Sequence, residues 1–277
     1  MTVRLALAQL EVRAADRDGN LDRALAAIER AADRGADLVS LPELWDVGYF
    51  AFEAYGRGAE PLSGPTLTRI REAARDHDIA VLAGSIVEDL EASAADGEAV
   101  PDDTGLANTA VLFDADGDRR SVYRKHHLFG YESAETRLLT PGEELPVVDL
   151  LGFRVAVTTC YDLRFPEQFR RLAADGADLV LVPSAWPYPR VEHWRTLPQA
   201  RAIENLAYVA TINGSGSFEE ADLLGRSTVY DPWGTTVASA GDEPTLVVTD
   251  IDPDRVASVR EEFPALRDRR DYETRRD

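Results

Sequence analysis

The sequence has little cysteine and lysine, and it lacks any long apolar run. Its one cysteine, Cys160, excludes an intrachain disulfide, and the four histidines have no zinc-like spacing with it, so a structural metal site is not expected. The longest apolar stretches are about as long as a strand, far short of the ~20 residues that a membrane helix requires. With 277 residues, 44% of them apolar, the chain can bury a substantial core and needs neither a disulfide nor a metal to fold.

Positive charge is also scarce. The chain has 30 basic and 50 acidic residues, a formal net charge of -20. Nucleic acids and anionic membranes are therefore not expected as partners, because binding phosphate needs a basic surface. The acidic excess predicts the cytoplasm of a halophile, where salt screens carboxylate repulsion, although a coding bias towards arginine and alanine is the alternative. Residues 1–10 lack the apolar centre of a secretory signal, which also predicts the cytoplasm.

All basic residues but one are arginine, and the exception is Lys125. Lysine is a compact ammonium that can be aimed at one atom, whereas arginine spreads its charge over a planar fork. A lysine that survives where nearly all others are absent is a candidate for a role that arginine cannot fill. Survival by chance is the alternative.

A near-repeat predicts the architecture. The segment RAADRGADLVSLPELW ends at Trp45, and RLAADGADLVLVPSAW ends at Trp186. In each copy, a helix leads through a Gly-Ala-Asp turn into a short apolar run that is typical of a strand covered on both faces. Two such units half a chain apart predict a duplication within a single domain, residues 1–277, of α/β class.

Periodicity and turn residues predict the remaining elements. We expect residues 114–118 to form a hairpin turn, residues 88–105 a surface loop and residues 260–277 a charged C-terminal tail. Helices are predicted at residues 21–34, 65–77 and 167–174, with a short one after Pro253. Strands are predicted at residues 4–9, 36–41, 79–87, 109–113, 121–124, 153–158, 208–212, 227–230 and 246–250.

Two residues at predicted strand ends have side chains suited to catalysis. Cys160 follows an apolar strand and precedes a helix, where nearby cations and a base can activate a thiol, although a lone cysteine is more often a buried apolar residue. Glu43 ends the first repeat at the position that Ser184 occupies in the second. Desolvation there raises the pKa of a carboxylate and suits it to act as a general base, whereas a helix cap or a salt-bridged strand end is the alternative.

Three segments, LPELW, YRKHHLF and TTCYDLRFPE, resemble in this order the catalytic motifs of the nitrilase superfamily. The likeness extends over nearly the whole chain and includes ARAIEN and GRSTVYDPWG. It implies a four-layer αββα sandwich with an internal pseudo-twofold repeat. It also implies assembly as a homodimer or larger homo-oligomer, and no cofactor. The charged tail at residues 260–277 is expected to take part in subunit contacts, with disorder as the alternative.

The resemblance also implies residue roles. Glu43 matches the general base, Lys125 the group that stabilises the tetrahedral intermediate, and Cys160 the nucleophile of an amide hydrolase. Glu132 matches an additional glutamate that positions the substrate and the lysine, although Glu135 lies close enough to be confused with it.

The segments CYDLRFPE, SAWPYPRVEHW and ARAIEN are most similar to the omega-amidase-like branch, which implies a dicarboxylic acid monoamide as substrate. Such a substrate needs a basic contact, from Arg164 or Arg190, if either folds inward; for Arg164, a structural salt bridge is favoured. The expected substrate contacts are Tyr161, Trp186, His193 and Arg164. Hydrolysis of an N-carbamoyl amino acid or a nitrile is the alternative within this chemistry, and a non-catalytic scaffold is the alternative outside it.

Overall fold

The computed structural model describes residues 2–130, 134–219 and 221–270. Two six-stranded sheets pack face to face, and each is covered by helices on its outer side. The strands are β1 Val3–Gln9, β2 Leu38–Ser40, β3 Ala80–Asp89, β4 Leu106–Phe113, β5 Arg119–Arg124, β6 Val147–Leu150, β7 Phe153–Val157, β8 Leu179–Ser184, β9 Tyr208–Asn213, β10 Ser215–Ser217, β11 Asp222–Leu224, β12 Thr228–Tyr230, β13 Thr236–Ser239 and β14 Thr245–Ile251.

Eight helices lie between or after these strands in the part of the chain that the structure describes. They are α1 Arg17–Asp33, α2 Tyr55–Gly58, α3 Pro65–Asp76, α4 Leu90–Ala95, α5 Glu135–Leu138, α6 Pro166–Ala174, α7 Val191–Asn205 and α8 Pro253–Glu262, with 3-10 turns at Phe52–Ala54 and Cys160–Arg164. Proline begins α3, α6 and α8, where its missing N–H costs nothing. No described helix is both long enough and apolar enough to cross a membrane.

The two sheets repeat one strand order. The first runs β14-β1-β2-β3-β4-β5 and the second β6-β7-β8-β9-β12-β13, while β10 and β11 form a separate two-stranded sheet. In each six-stranded sheet, three neighbouring strands are parallel, and the strand next to them on either side is antiparallel. The outermost strands β5 and β13 are antiparallel to β4 and β12. The predicted near-repeat thus corresponds to β2 and β8, the equivalent strands of the two halves, and the expected internal duplication is present.

Three apolar clusters separate the four layers. Side chains of α1 and α3, such as Ile28 and Ile70, pack on the outer face of the first sheet. Leu7 and Leu181 lie in the cluster between the two sheets. Phe169 of α6 packs with residues of α7 and the outer face of the second sheet. This order of layers confirms the predicted αββα sandwich.

One predicted loop is partly ordered secondary structure. Residues 88–105 were expected to be a surface loop, but β3 continues to Asp89 and α4 follows directly. The Asp89 carboxylate accepts the N–H of Ala92 at 3.0 Å and so caps the helix, and Leu90 is buried. The prediction failed because α4 has only six residues, too few to show the periodic spacing of apolar residues that identifies a helix in sequence.

Candidate active site

Residues that follow three strands converge at one edge of the sandwich. Glu43 comes shortly after β2, Lys125 directly after β5, and Cys160 shortly after β7. Cys160 has a backbone φ of +46°, which is uncommon for a residue with a side chain, at the first position of a 3-10 turn. Such a turn projects the thiol away from the strand. A strained conformation held by its surroundings is frequent at functional sites.

Lys125 lies between two buried carboxylates. Its Nζ is 2.8 Å from Glu43 Oε1 and 2.8 Å from Glu135 Oε1. The lysine side chain is 1% exposed, and both carboxylates are fully buried. An ammonium in such a place keeps its charge only because its counter-charges are in contact.

Glu43 has a second set of contacts that orients it. Asn108 Nδ2 donates to its Oε1 at 2.9 Å, and the backbone N–H of Ala185 donates to its Oε2 at 2.9 Å. Ala185 directly follows Ser184, the equivalent residue in the second repeat, whose carbonyl accepts the Glu43 N–H at 3.4 Å. The two halves of the fold therefore meet at this carboxylate.

Glu135, in α5, is held as firmly as Glu43. The hydroxyl of Tyr49 and the backbone N–H of Phe129 donate to its Oε2 at 2.9 and 2.7 Å. Glu132, which the motif predicted for contact with the lysine, lies outside the described residues. Among the described residues, Glu135 takes that place beside Lys125.

Burial and proximity shift the pKa values of these groups. Burial would lower the pKa of Lys125, but the adjacent Glu135 and Glu43 outweigh it and hold that pKa well above its ordinary value. Burial raises the pKa of the Cys160 thiol well above its usual range, and Glu43 adds to the effect. Burial also raises the pKa of Glu43, against the opposing charge of Lys125. The ammonium is therefore charged at neutral pH and the thiol is not.

The Glu43 carboxyl and the Cys160 thiol lie close enough that each shifts the pKa of the other. A neutral thiol needs a base to become a nucleophile, and a neighbouring carboxylate of raised pKa can be such a base. The arrangement can deliver a thiolate to a substrate at the moment of attack.

A cavity of about 460 Å³ opens beside the thiol. Its volume suits a small molecule, and its wall combines aromatic rings with a few charged groups. The residues around it are Tyr49, Phe50, Phe52, Lys125, Phe129, Ala134, Arg137, Cys160, Tyr161, Arg164, Ala185, Trp186, Pro187 and Arg190.

Three of the four predicted substrate contacts, Tyr161, Trp186 and Arg164, line this cavity. The Arg164 guanidinium carbon lies 5.1 Å from the centroid of the Trp186 ring and 5.6 Å from that of Tyr161. His193, the fourth, is exposed and does not line the cavity, but its Nδ1 lies 3.2 Å from Arg164 Nη2. It therefore orients the arginine from outside.

The salt bridge favoured for Arg164 is not present within the ranges that the structure describes. Its contacts there are the two aromatic rings and His193. The expectation was wrong because the 3-10 turn after Cys160 directs this side chain towards the cavity.

Comparison with known proteins identifies the family. A family model described as carbon-nitrogen hydrolase matches residues 4–261. The chain belongs to the carbon-nitrogen hydrolase family. The resemblance to the nitrilase superfamily is thereby confirmed, and the protein is a hydrolase that acts on carbon–nitrogen bonds other than peptide bonds.

Two curated relatives of this carbon-nitrogen hydrolase are amidases. The 2-oxoglutaramate amidase of Paenarthrobacter nicotinovorans is 38% identical, over 85% of this chain and 79% of the relative. The omega-amidase NIT2 of Homo sapiens is 34% identical, over 96% of this chain and 95% of the relative.

Solved structures of similar fold include two relatives. Nit3 from Saccharomyces cerevisiae, a member of branch 10 of the nitrilase superfamily, has a TM-score of 0.84 and 29% identity, and the match covers 100% of this chain and 97% of that one. A mutant amidase from Nesterenkonia sp. AN1 has a TM-score of 0.82 and 32% identity, with 97% and 94% covered. That mutant carries the acetamide moiety of fluoroacetamide covalently at its active-site cysteine.

Asp162 connects the lysine and cysteine segments of the hydrolase. This fully buried carboxylate accepts the Thr159 N–H at 2.8 Å and the Tyr123 hydroxyl at 2.5 Å. The backbone N–H of His127 donates to it at 3.0 Å, and the imidazole Nδ1 lies 2.8 Å away. One side chain thus holds both Lys125 and Cys160 in place through their neighbours in sequence.

Sequence reasoning missed several residues of the hydrolase site. Asn108 could have been noticed as a buried amide within the apolar strand β4, whereas Tyr49 carries no local signal. Asp162 stands within the cysteine motif, but its partners come from a distant part of the chain. No group of three or more histidine, cysteine or acidic residues within the described ranges is arranged to hold a metal ion.

Proposed function

We propose that this chain hydrolyses the terminal amide of a small dicarboxylic acid monoamide through a thioester at Cys160 and releases ammonia. The observation that carries the substrate class is the position of Arg164. Its guanidinium has no carboxylate partner within the described residues, and it shares a 460 Å³ cavity with the thiol. A substrate carboxylate is the partner that such a group favours.

The relatives support the same substrate class. Their names describe hydrolysis of 2-oxoglutaramate and of omega-amides, both of which pair an amide with an anionic end. The aromatic wall of the cavity suits the short carbon chain between these two groups.

Acylation begins when Glu43 accepts the thiol proton and Cys160 Sγ attacks the amide carbonyl. The new S–C bond leaves a tetrahedral oxyanion, towards which Lys125 and the backbone N–H of Tyr161 donate. Glu43 then delivers the proton to the amide nitrogen. The C–N bond breaks, ammonia leaves, and an acyl thioester remains on Cys160.

Deacylation uses the same groups in reverse. Glu43 removes a proton from a water molecule, and the resulting hydroxide attacks the thioester carbonyl. The second tetrahedral intermediate faces Lys125 as the first did. The S–C bond breaks, the thiol regains its proton from Glu43, and the carboxylic acid is released.

Hydrolysis of N-carbamoyl amino acids and of nitriles uses the same nucleophile and remains the alternative. The test is ammonia release from succinamate, 2-oxoglutaramate, an N-carbamoyl amino acid and a simple nitrile, each with wild type and Cys160→Ala. We expect release from the two dicarboxylate monoamides, and its loss in the variant. Release mainly from another substrate would overturn the substrate class, and release without Cys160 would overturn the mechanism.

We also propose a homodimer or larger homo-oligomer. Ile203 and Phe263 are each 50% exposed, and the rings of Phe263 and Trp233 lie 5.8 Å apart. These residues form an apolar patch next to the C-terminal segment, and a second copy is the partner that the resemblance implies. Light scattering should give at least twice the chain mass, and Ile203→Glu should reduce it.

We also propose that the protein is located in the cytoplasm and that its source is a halophile. An unpaired thiol that must stay reduced for catalysis favours a reducing compartment. The net charge of -20 favours high salt.

A further inference from the structure

Arg190, directly before α7, is a second arginine at the cavity, and the sequence predicted it only as an alternative to Arg164 for the basic contact. Its backbone carbonyl accepts the Trp186 indole N–H at 3.2 Å and the Trp194 N–H at 3.1 Å. Its guanidinium carbon lies 6.0 Å from the centroid of the Phe129 ring. Trp186 and Phe129 both line the cavity, so the cavity wall itself fixes where this arginine stands.

The charge of Arg190 is available to a ligand. The structure places no carboxylate in an ion pair with it among the described residues, and its side chain is half-buried. Arg164 reaches the same cavity beside the ring of Trp186. Two cations from separate segments, the 3-10 turn after β7 and the residue before α7, therefore border one small cavity.

The charges of the catalytic cluster explain why one arginine is not enough. Glu43 and Glu135 carry two negative charges and Lys125 one positive charge, so the ionised cluster has a net charge of -1. An anionic substrate must approach this excess. Arg164 alone would only cancel it, whereas Arg190 makes the balance positive. Arg137 also lines the cavity but has contacts of its own.

We infer that Arg190 is a specificity-determining residue, which with Arg164 forms a two-cation site for the anionic end of the substrate. The inference rests on the proposed function, since it names how that substrate class is chosen. The ligand class is an amide whose far end carries a carboxylate. Neutral amides of the same length are disfavoured because they leave both cations without a counter-charge.

The test compares succinamate with its methyl ester, a neutral amide of nearly the same shape. For Arg190→Gln, we expect the ratio of kcat/KM for succinamate to that for the ester to fall about tenfold or more, as expected on loss of a charged contact. The loss should lie mainly in KM, because the contact is made in the ground state and the transition state alike. Arg190→Lys should restore part of the ratio.

Arg195→Gln is the matched control. Arg195 lies in α7, the helix that Arg190 precedes; it is 65% exposed, does not line the cavity and pairs with Glu192 at 3.5 Å. Arg195→Gln removes the same charge from the chain as Arg190→Gln. Its ratio of kcat/KM for succinamate to that for the ester should equal the wild-type ratio. A similar fall in this control would assign the effect to overall charge and overturn the inference.

A binding measurement separates the inference from the proposed function. Calorimetry with succinate and the Cys160→Ala protein should give an affinity that falls about tenfold when Arg190→Gln is added. If wild type prefers succinamate but Arg190→Gln leaves the ratio unchanged, or reduces both amides equally, the inference fails and the proposed function stands. If succinate binds through Arg190 but no dicarboxylate monoamide is hydrolysed, the proposed function fails alone. If neither occurs, both fail.

Discussion

Each charged residue of the site depends on its neighbours to remain buried. Lys125 would lose its charge in this environment without Glu43 and Glu135, and either carboxylate would be unstable without the lysine. Glu43 in turn needs the Asn108 amide, which donates to the same oxygen as Lys125, and the Ala185 N–H, which holds the other oxygen towards the second repeat. The cluster therefore tolerates little change in the shape of any member.

The first prediction concerns Lys125→Arg. A guanidinium keeps the charge but is wider than an ammonium, and it cannot place one N–H where the compact Nζ now contacts two carboxylates. We expect kcat to fall at least about 10³-fold, since loss of an oxyanion donor costs about 10²- to 10³-fold and displacement of Glu43 adds to it. Ammonia release measures this, with circular dichroism to show a folded variant. Turnover at the wild-type rate would refute the assignment.

A second prediction decides between Glu135 and Glu132. Glu135→Gln removes the charge that contacts Lys125 Nζ, and we expect kcat to fall about 10²-fold or more. Glu132→Gln is the matched control, with the same chemical change three residues earlier, and should retain at least half of kcat. The reverse pattern would return the positioning role to Glu132, as the motif first predicted.

At the scale of secondary structure, the site forms because β2, β5 and β7 all end at one edge of the sandwich, and the residues that follow them meet there. Asp162 is the residue that ties two of these segments together, since it accepts hydrogen bonds from the neighbours of both Lys125 and Cys160. A network of this kind fixes geometry rather than taking part in the reaction.

The third prediction is that Asp162→Asn lowers kcat at least about tenfold and the free energy of unfolding by about 2–4 kcal/mol, because an amide N–H would face existing donors. Asp178→Asn is the control. Asp178 accepts the Arg154 N–H at 2.6 Å just before β8, at the end of that strand away from the cavity. It should lose stability without losing kcat. Equal kcat for both variants, measured where both are folded, would remove the positioning role.

The longer elements could be predicted from sequence because their patterns are local. α1 and α3 carry apolar stripes, β1 is a mostly apolar run, and β14 is bounded by proline on either side. The short strands β6 and β13 could not be predicted, since four residues carry too little pattern and pairing across the sheet decides them.

The residues of the site also differ in how much local sequence signal they carry. Glu43, Lys125 and Cys160 stand in distinctive motifs, so they were found without the fold. Asn108 and Glu135 acquire their place only when β4 and α5 approach the end of β2 in space. That approach depends on the packing of the whole sandwich and leaves no local signature.

For the whole molecule, the acidic surface predicts dependence on salt. A net charge of -20 repels itself, and the Debye length falls from about 10 Å at 0.1 M to about 3 Å at 1 M salt. We expect Tm at pH 7.5 to rise by at least about 5 °C between 0.1 and 2 M KCl. Near the sequence pI of about 4.6, the rise should largely vanish. An equal rise at both pH values would assign the effect to solvation rather than charge.

The central claim is that Cys160 forms a covalent acyl intermediate with an amide. The most direct measurement is intact-protein and peptide mass spectrometry after rapid mixing with succinamate and an acid quench. Because the chain has a single cysteine, we expect a mass increase equal to the substrate less ammonia, on the peptide that contains Cys160, and none in Cys160→Ala. An adduct on another residue, or turnover by Cys160→Ala, would contradict the account.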